Sequence, residues 1–209
     1  MISQMRSEGF TGSMVKVGWY SNDSNCNVNL HSWGSYGDRD SWKNVAKAFS
    51  SYVYYNYTQY GIAVDVVGYS MGGLITRGAI YGSSRGDSGF SSPINVEDVV
   101  TLGTPHQGAA WYSNLCFWGQ CASMKPGSSD LNWLNGNGNP QGRYGTEWTN
   151  IGSYQDDVVP YASATSMGIP SGQKVVYSNI SHTGAFHPNY MHASNVVSRA
   201  GNGLAYSAQ

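Results

Sequence analysis

The run AVDVVGYSMGGLITRGAI, from Ala63 to Ile80, constrains this chain more than any other stretch. An unbroken apolar segment, of the kind a strand buried on both faces carries, rises into one serine, Ser70. A helical pattern follows at once, with no loop between. A chain that passes from strand to helix through a single residue forces that residue into a strained conformation and projects its side chain above the sheet. Side chains two positions to either side would collide, so Gly68 and Gly72 suit the corner. The start of the helix leaves N–H groups free and turns the positive end of its dipole toward the serine. The corner therefore exposes a hydroxyl and sets a donor, the N–H of Met71, beside it.

The five-residue pattern G-x-S-x-G recurs at Gly82-Ser83-Ser84-Arg85-Gly86, as a chain with 27 glycines in 209 residues allows by chance. That second copy has no strand before it and reads as a polar turn after a helix. Elsewhere, Met1 to about Gly9 reads as the end of a helix and Ser13–Tyr20 as a strand. Asn22–Asp38 reads as a polar loop. A helix starts at Asp40 or Ser41, places Val45, Ala46, Phe49, Tyr52 and Val53 on one face, and stops at Gly61. Leu74–Tyr81 is helical. VEDVVTLG, TEWTNIGS and QKVVYSNIS read as strands, Asp130–Leu134 as a short helix, and NYMHASNVVSRAG as the closing helix. Strands alternating with helices predict an α/β chain, a mostly parallel sheet with helices on both faces.

A serine alcohol is a weak nucleophile until a base takes its proton. On a strand-to-helix corner of this kind the partners follow in the order serine, acid, histidine, each just after a strand. Asp156 and Asp157, after TNIGSYQ, are the acid candidates. His182, His187 and His192 come later. His182 ends a strand, His187 precedes a proline, and His192 falls in the closing helix. His106 precedes the acid, and His31 lies in the early loop. No metal-ligand pattern competes: His187 and His192 are five apart rather than the three or four that share a helix face.

Only 11% of residues are charged and the net charge is −1, against about 25% charged in ordinary domains. That balance offers no footprint for nucleic acid or an anionic membrane. No apolar stretch approaches the roughly 18 residues of a membrane span, and MISQMRSEGF has no apolar core of a secretory signal. Cys116 and Cys121 bracket CFWGQC and suit a local disulfide or a pair of buried thiols, which leaves Cys26 unpaired.

Taken together these motifs resemble the α/β-hydrolase superfamily, and within it the small bacterial extracellular lipases and esterases called class 2 lipases. VDVVGYSMGGLITR is similar to that group's nucleophile strand, with Tyr69 where histidine is more usual. VVTLGTPHQGA, QCASMKPGSSDLNWLN, IGSYQDDVVP and NISHTG resemble successive later segments, and the likeness spans nearly the whole chain. It implies Ser70 as nucleophile, His182 as acid–base, Asp156 rather than Asp157 as orienting carboxylate, and Met71 as an oxyanion donor. It further implies one α/β-hydrolase domain over residues 1–209. The implied reaction is hydrolysis of an ester or lipid substrate through an acyl-serine, with no cofactor, by an extracellular monomer that touches lipid interfaces transiently.

The resemblance also calls for an early central strand ending in His-Gly, whose loop gives a second oxyanion donor. No such strand is legible here. The expectation that follows is a longer secreted precursor in which Met1 is internal. The alternative is a hydrolase-fold remnant that binds lipid or polymer through Trp111, Tyr112, Phe117 and Trp118. An acyltransferase would use the same triad.

Overall fold

The computed structural model describes residues 1–109 and 119–205. Its elements are α1 (Ile2–Ser7), β1 (Val17–Gly18), β2 (Val28–Asn29), α2 (Trp42–Asn56), β3 (Val64–Tyr69), α3 (Met71–Arg85), β4 (Val96–Leu102), α4 (Gly119–Ser123), α5 (Ser129–Leu134), β5 (Glu147–Ser153), α6 (Tyr161–Ala164), β6 (Lys174–Tyr177) and α7 (Ser194–Leu204). Strands β3, β4, β5 and β6 pair in that order and all run parallel. All four strands therefore finish on one edge, where the loops after them meet.

Successive side chains of a strand point to opposite faces, and helices cover both. Val66 and Val99 pack with Trp42, Val45, Leu74 and Ile80 of α2 and α3. Val67, Val100, Leu102 and Ile151 pack instead with Val196, Val197 and Ala200 of α7 and Met5 of α1. Helix α2 begins where Ser41 Oγ accepts from the Lys43 N–H, a side-chain N-cap. Its buried residues recur at helical spacing, and the chain turns back at Gly61, at φ +75°. The anticipated α/β architecture is thus present. Among the described residues no helix is long and apolar enough to cross a membrane.

Several boundaries differ from the sequence reading. The segment Ser13–Tyr20 contributes only Val17–Gly18, paired with Val28–Asn29 in a small sheet of its own. Its alternation is genuine, but Val15 and Lys16 face solvent and have no apolar surface to cover. Strand β3 consequently ends the four-stranded order, with Gly68 its sole buried residue, whereas in β4 all but Glu97 are buried. Helix α3 runs on to Arg85 and stops at Gly86, at φ +69°. The second G-x-S-x-G is therefore the last turn of a helix and not a turn after one. The closing helix starts at Ser194 rather than near Asn189, because Asn189 turns the chain, its side chain accepting from the Met191 N–H at 2.8 Å.

Candidate active site

Ser70 sits between β3 and α3 with φ +53° and ψ −125°, the one non-glycine residue at positive φ among those described. Such a conformation costs free energy and persists where its surroundings over-determine it. The surroundings are visible here. The Ser70 N–H donates to Leu102 O at 2.8 Å, and the Thr104 hydroxyl donates to Ser70 O at 3.0 Å. A Cβ on Gly68 would stand 2.7 Å from the Gly73 backbone, and one on Gly73 would stand 2.0 Å from Thr104 Oγ1. A Cβ on Gly72 would meet only the Trp19 ring, at 3.5 Å. The steric demand falls on Gly68 and Gly73, not on Gly72 as the pattern suggested.

Three loops deliver groups to this corner. His182, after β6, places Nε2 2.9 Å from Ser70 Oγ and Nδ1 3.1 Å from Asp156 Oδ2. Asp156, after β5, accepts on Oδ1 from the Val158 and Val159 N–H groups at 2.8 and 2.7 Å. Its side chain has no exposed surface, and that of His182 is 6% exposed. A carboxylate can only accept, so Nδ1 carries the imidazole proton and Nε2 is left to accept from the serine. The third loop, after β4, contributes Gly103 at φ +53°. A Cβ there would lie 2.9–3.0 Å from Tyr190, Asp156 and His182 together. Glycine is what lets the three approach one another.

The serine–acid–histidine order thus brings Ser70, His182 and Asp156 into one hydrogen-bonded chain, with the Met71 N–H opening α3 beside it. Asp157 is turned elsewhere. Its Oδ1 accepts from the Ser181 hydroxyl and from the His182 and Thr183 N–H groups at 2.7, 2.7 and 3.1 Å, and its Oδ2 accepts from the Thr183 hydroxyl. Partial burial pushes its carboxyl up, but hydrogen bonds from the Thr183 and Ser181 side chains together outweigh this and hold it far below the usual carboxylate range. Asp157 therefore clamps the loop that carries His182. Sequence reasoning treated it only as a rival of Asp156. The hydroxyls at 181 and 183 were the signal, since both flank the histidine.

Two further contacts escaped the sequence reading, which noted Tyr69 only as a replacement for histidine and placed Tyr190 in the closing helix. The Tyr69 hydroxyl donates to His182 O at 2.6 Å, its ring 5.0 Å from the imidazole. The Tyr190 hydroxyl donates to Asp156 Oδ2 at 2.8 Å. The remaining histidines lie elsewhere. His31 pairs with Asp38, His187 is half-buried, and His192 is exposed in the turn before α7 rather than in the helix. His106 is wholly buried against Thr101 and Asn150. Burial, with the nearby charge of Arg77, holds it well below the ordinary histidine value.

A cavity of about 320 Å³ opens at Ser70, walled mainly by Trp19, Tyr69, Met71, Met124, Val158 and Val159. An apolar cleft with a few polar groups at one end suits a small organic ligand. Among the described residues no three His, Cys, Asp or Glu side chains group as a metal site. Cys121 is buried and disulfide-bonded, and Cys26 is a free thiol. Cys116, Trp111, Tyr112, Phe117 and Trp118 lie outside the described residues.

The family model for lipase (class 2) matches residues 49–197. No curated protein sequence matches the chain. Among solved structures, the mature form of a Bacillus licheniformis lipase is similar at a TM-score of 0.51 and 15% identity, over 81% of this chain and 73% of that one. Lipase B of Aspergillus fumigatus is similar at 0.50 and 17%, over 68% of this chain and 35% of that one. The propeptide form of the Bacillus lipase gives 0.47 and 18%, over 60% and 34%. The chain thus spans about a third of the length of two of these proteins, and at such identities the likeness is one of fold.

Proposed function

The chain belongs to the class 2 lipase family, and on that premise we propose that it is a serine carboxylester hydrolase working through an acyl-serine intermediate. The observation that carries this reading is the continuous line of hydrogen bonds from Ser70 through His182 to Asp156, at the mouth of an apolar cavity. His182 Nε2 takes the serine proton as Oγ attacks the ester carbonyl. Asp156 keeps the proton on Nδ1 and stabilises the imidazolium that forms. Negative charge gathers on the former carbonyl oxygen, where the Met71 N–H and the start of α3 stabilise it. One such donor is worth about 10²–10³ in rate. The imidazolium then protonates the leaving alcohol. Water, activated by the same imidazole, cleaves the acyl-serine and releases the acid.

The acyl chain lies along Met71, Met124, Val158 and Val159, all apolar. The reading extends to one hydrolase domain that meets ester or lipid substrates, transiently at interfaces, as an extracellular monomer without a cofactor. A surface of few charges and a disulfide-bonded Cys121 support that setting. Stopped-flow hydrolysis of p-nitrophenyl esters of graded acyl length tests the mechanism. An initial burst of about one p-nitrophenol per chain, abolished in His182→Ala, is expected. Turnover without a burst at any acyl length, or turnover that survives His182→Ala, counts against it.

A further inference from the structure

Asp156 Oδ2 serves two donors. One is His182 Nδ1 at 3.1 Å and the other is the Tyr190 hydroxyl at 2.8 Å. Tyr190 has no exposed surface, and its ring stands nearly perpendicular to the imidazole, with centroids 6.2 Å apart. A phenylalanine would fill the same space. The hydroxyl is thus spent on a carboxylate oxygen already engaged by the base. Burial, followed by the charge of Asp156, pushes the Tyr190 phenol well above its ordinary value, so it remains a donor.

The adjoining residue acts on the other partner. Asn189 Nδ2 donates to His182 O and to the Tyr69 hydroxyl, the latter at 3.1 Å. The bridge between Ser181 and Asn189 closes the neck of the histidine loop. One dipeptide therefore ties down both the acid and the base.

We propose that Tyr190 is a positioning residue, whose hydroxyl fixes the plane of the Asp156 carboxylate and shares the charge that Oδ2 presents to His182. The inference rests on the reading of Ser70, His182 and Asp156 as the hydrolytic triad. A second donor on an anion weakens its hold on the first. Without the hydroxyl, more negative charge faces the imidazole, and protonation of its free nitrogen is favoured. The other groups facing this cluster are Ser70 and Tyr69 at the corner and Asp157 on the acid loop. The Asp157 carboxylate is occupied by Ser181 and Thr183, and Gly103 adds no titratable group.

The test is Tyr190→Phe in the full chain, read in two ways. The rate at which a fluorophosphonate labels Ser70 is followed against pH, and the low-field proton resonance of His182 Nδ1–H is recorded by NMR. The acid limb of labelling should move up by about half a pH unit, with the plateau rate lower by about tenfold. The resonance should move downfield. In an Asp156→Asn background the same substitution should change labelling by less than about twofold, because coupled residues are not additive. Replacing Tyr190 by 3-fluorotyrosine, a stronger donor of nearly the same size, should move the limb the opposite way. An unmoved limb and resonance, with only a lower melting temperature, would reduce Tyr190 to core packing and overturn the proposal. Absence of labelling at Ser70 in the parent chain would instead overturn the triad reading, and the resonance would still decide whether Tyr190 acts on Asp156.

Discussion

The two copies of G-x-S-x-G sit at opposite ends of one helix, α3. At its N-terminal end the chain arrives from a strand, Ser70 takes φ +53°, and the helix turns free N–H groups toward it. At its C-terminal end Ser83 and Ser84 are helical, and their hydroxyls donate back to Ile80 O and Tyr81 O at 3.2 and 3.0 Å. A developing oxyanion there would face the negative end of the dipole and carbonyl oxygens. The five letters are the same, and the backbone that enters them decides whether they describe a serine held at a strand-to-helix corner or a helix ending.

The largest effect expected from this contrast concerns the two serines. Ser70→Ala should lower ester hydrolysis by about 10⁴-fold or more, while Ser84→Ala stays within about twofold, as steady-state rates will show. The glycines come next. Gly68→Ala drives a Cβ to 2.7 Å from the Gly73 backbone. It should cost about 1–3 kcal/mol and displace Ser70, so thermal unfolding and hydrolysis both suffer. Gly86→Ala at the other end has open space but φ +69°, and should cost about 1 kcal/mol with hydrolysis unchanged.

Much of this contrast was legible before the structure. The strand, the corner and the helix after it follow from VDVVGYSMGG, and the acid and histidine loops follow strands whose apolar runs are unambiguous. What was not legible depended on contacts distant in sequence. The alternation of Ser13–Tyr20 says nothing about which strand it pairs with, and only Val17–Gly18 within it pairs, with Val28–Asn29. The apolar run of β3 promised burial on both faces, yet only Gly68 of it is buried and among the described residues it has one neighbour in the sheet. Tyr190 was absorbed into an apparent helical period, because Asn189 breaks that period through a side-chain bond that composition does not reveal. The need for Gly73 rather than Gly72 depends on Thr104, a residue on another strand's loop.

Among the described residues, only the N-terminal copy has hydrogen-bond partners from remote loops, and Asp157 sharpens the comparison through them. Asp157→Asn keeps the shape but weakens the acceptor for Ser181, His182 and Thr183. Hydrolysis should fall by about tenfold while the helix ending at Gly86 is untouched, as comparison of kcat in the two glycine and Asp157 variants will show.

The smallest effect concerns pH. The depressed Asp157 carboxyl contributes stability that is fully present above the unfolded carboxylate value, about 3.9, and is lost as pH falls toward its folded value. His106, held neutral by burial, contributes stability present above about 6.5 and lost as the unfolded chain takes up protons below it. Melting temperature should therefore decline in two stages on acidification. Asp157→Asn should remove part of the lower stage and leave the upper one, and a single stage in the parent chain would contradict the assignment.

The most direct test of the central claim is to treat the cooperatively folded chain with a fluorophosphonate and map the adduct by mass spectrometry. The account predicts a single adduct on Ser70, none on Ser84, and its loss in His182→Ala. A folded chain with no adduct, or one labelled at a serine other than Ser70, would contradict it.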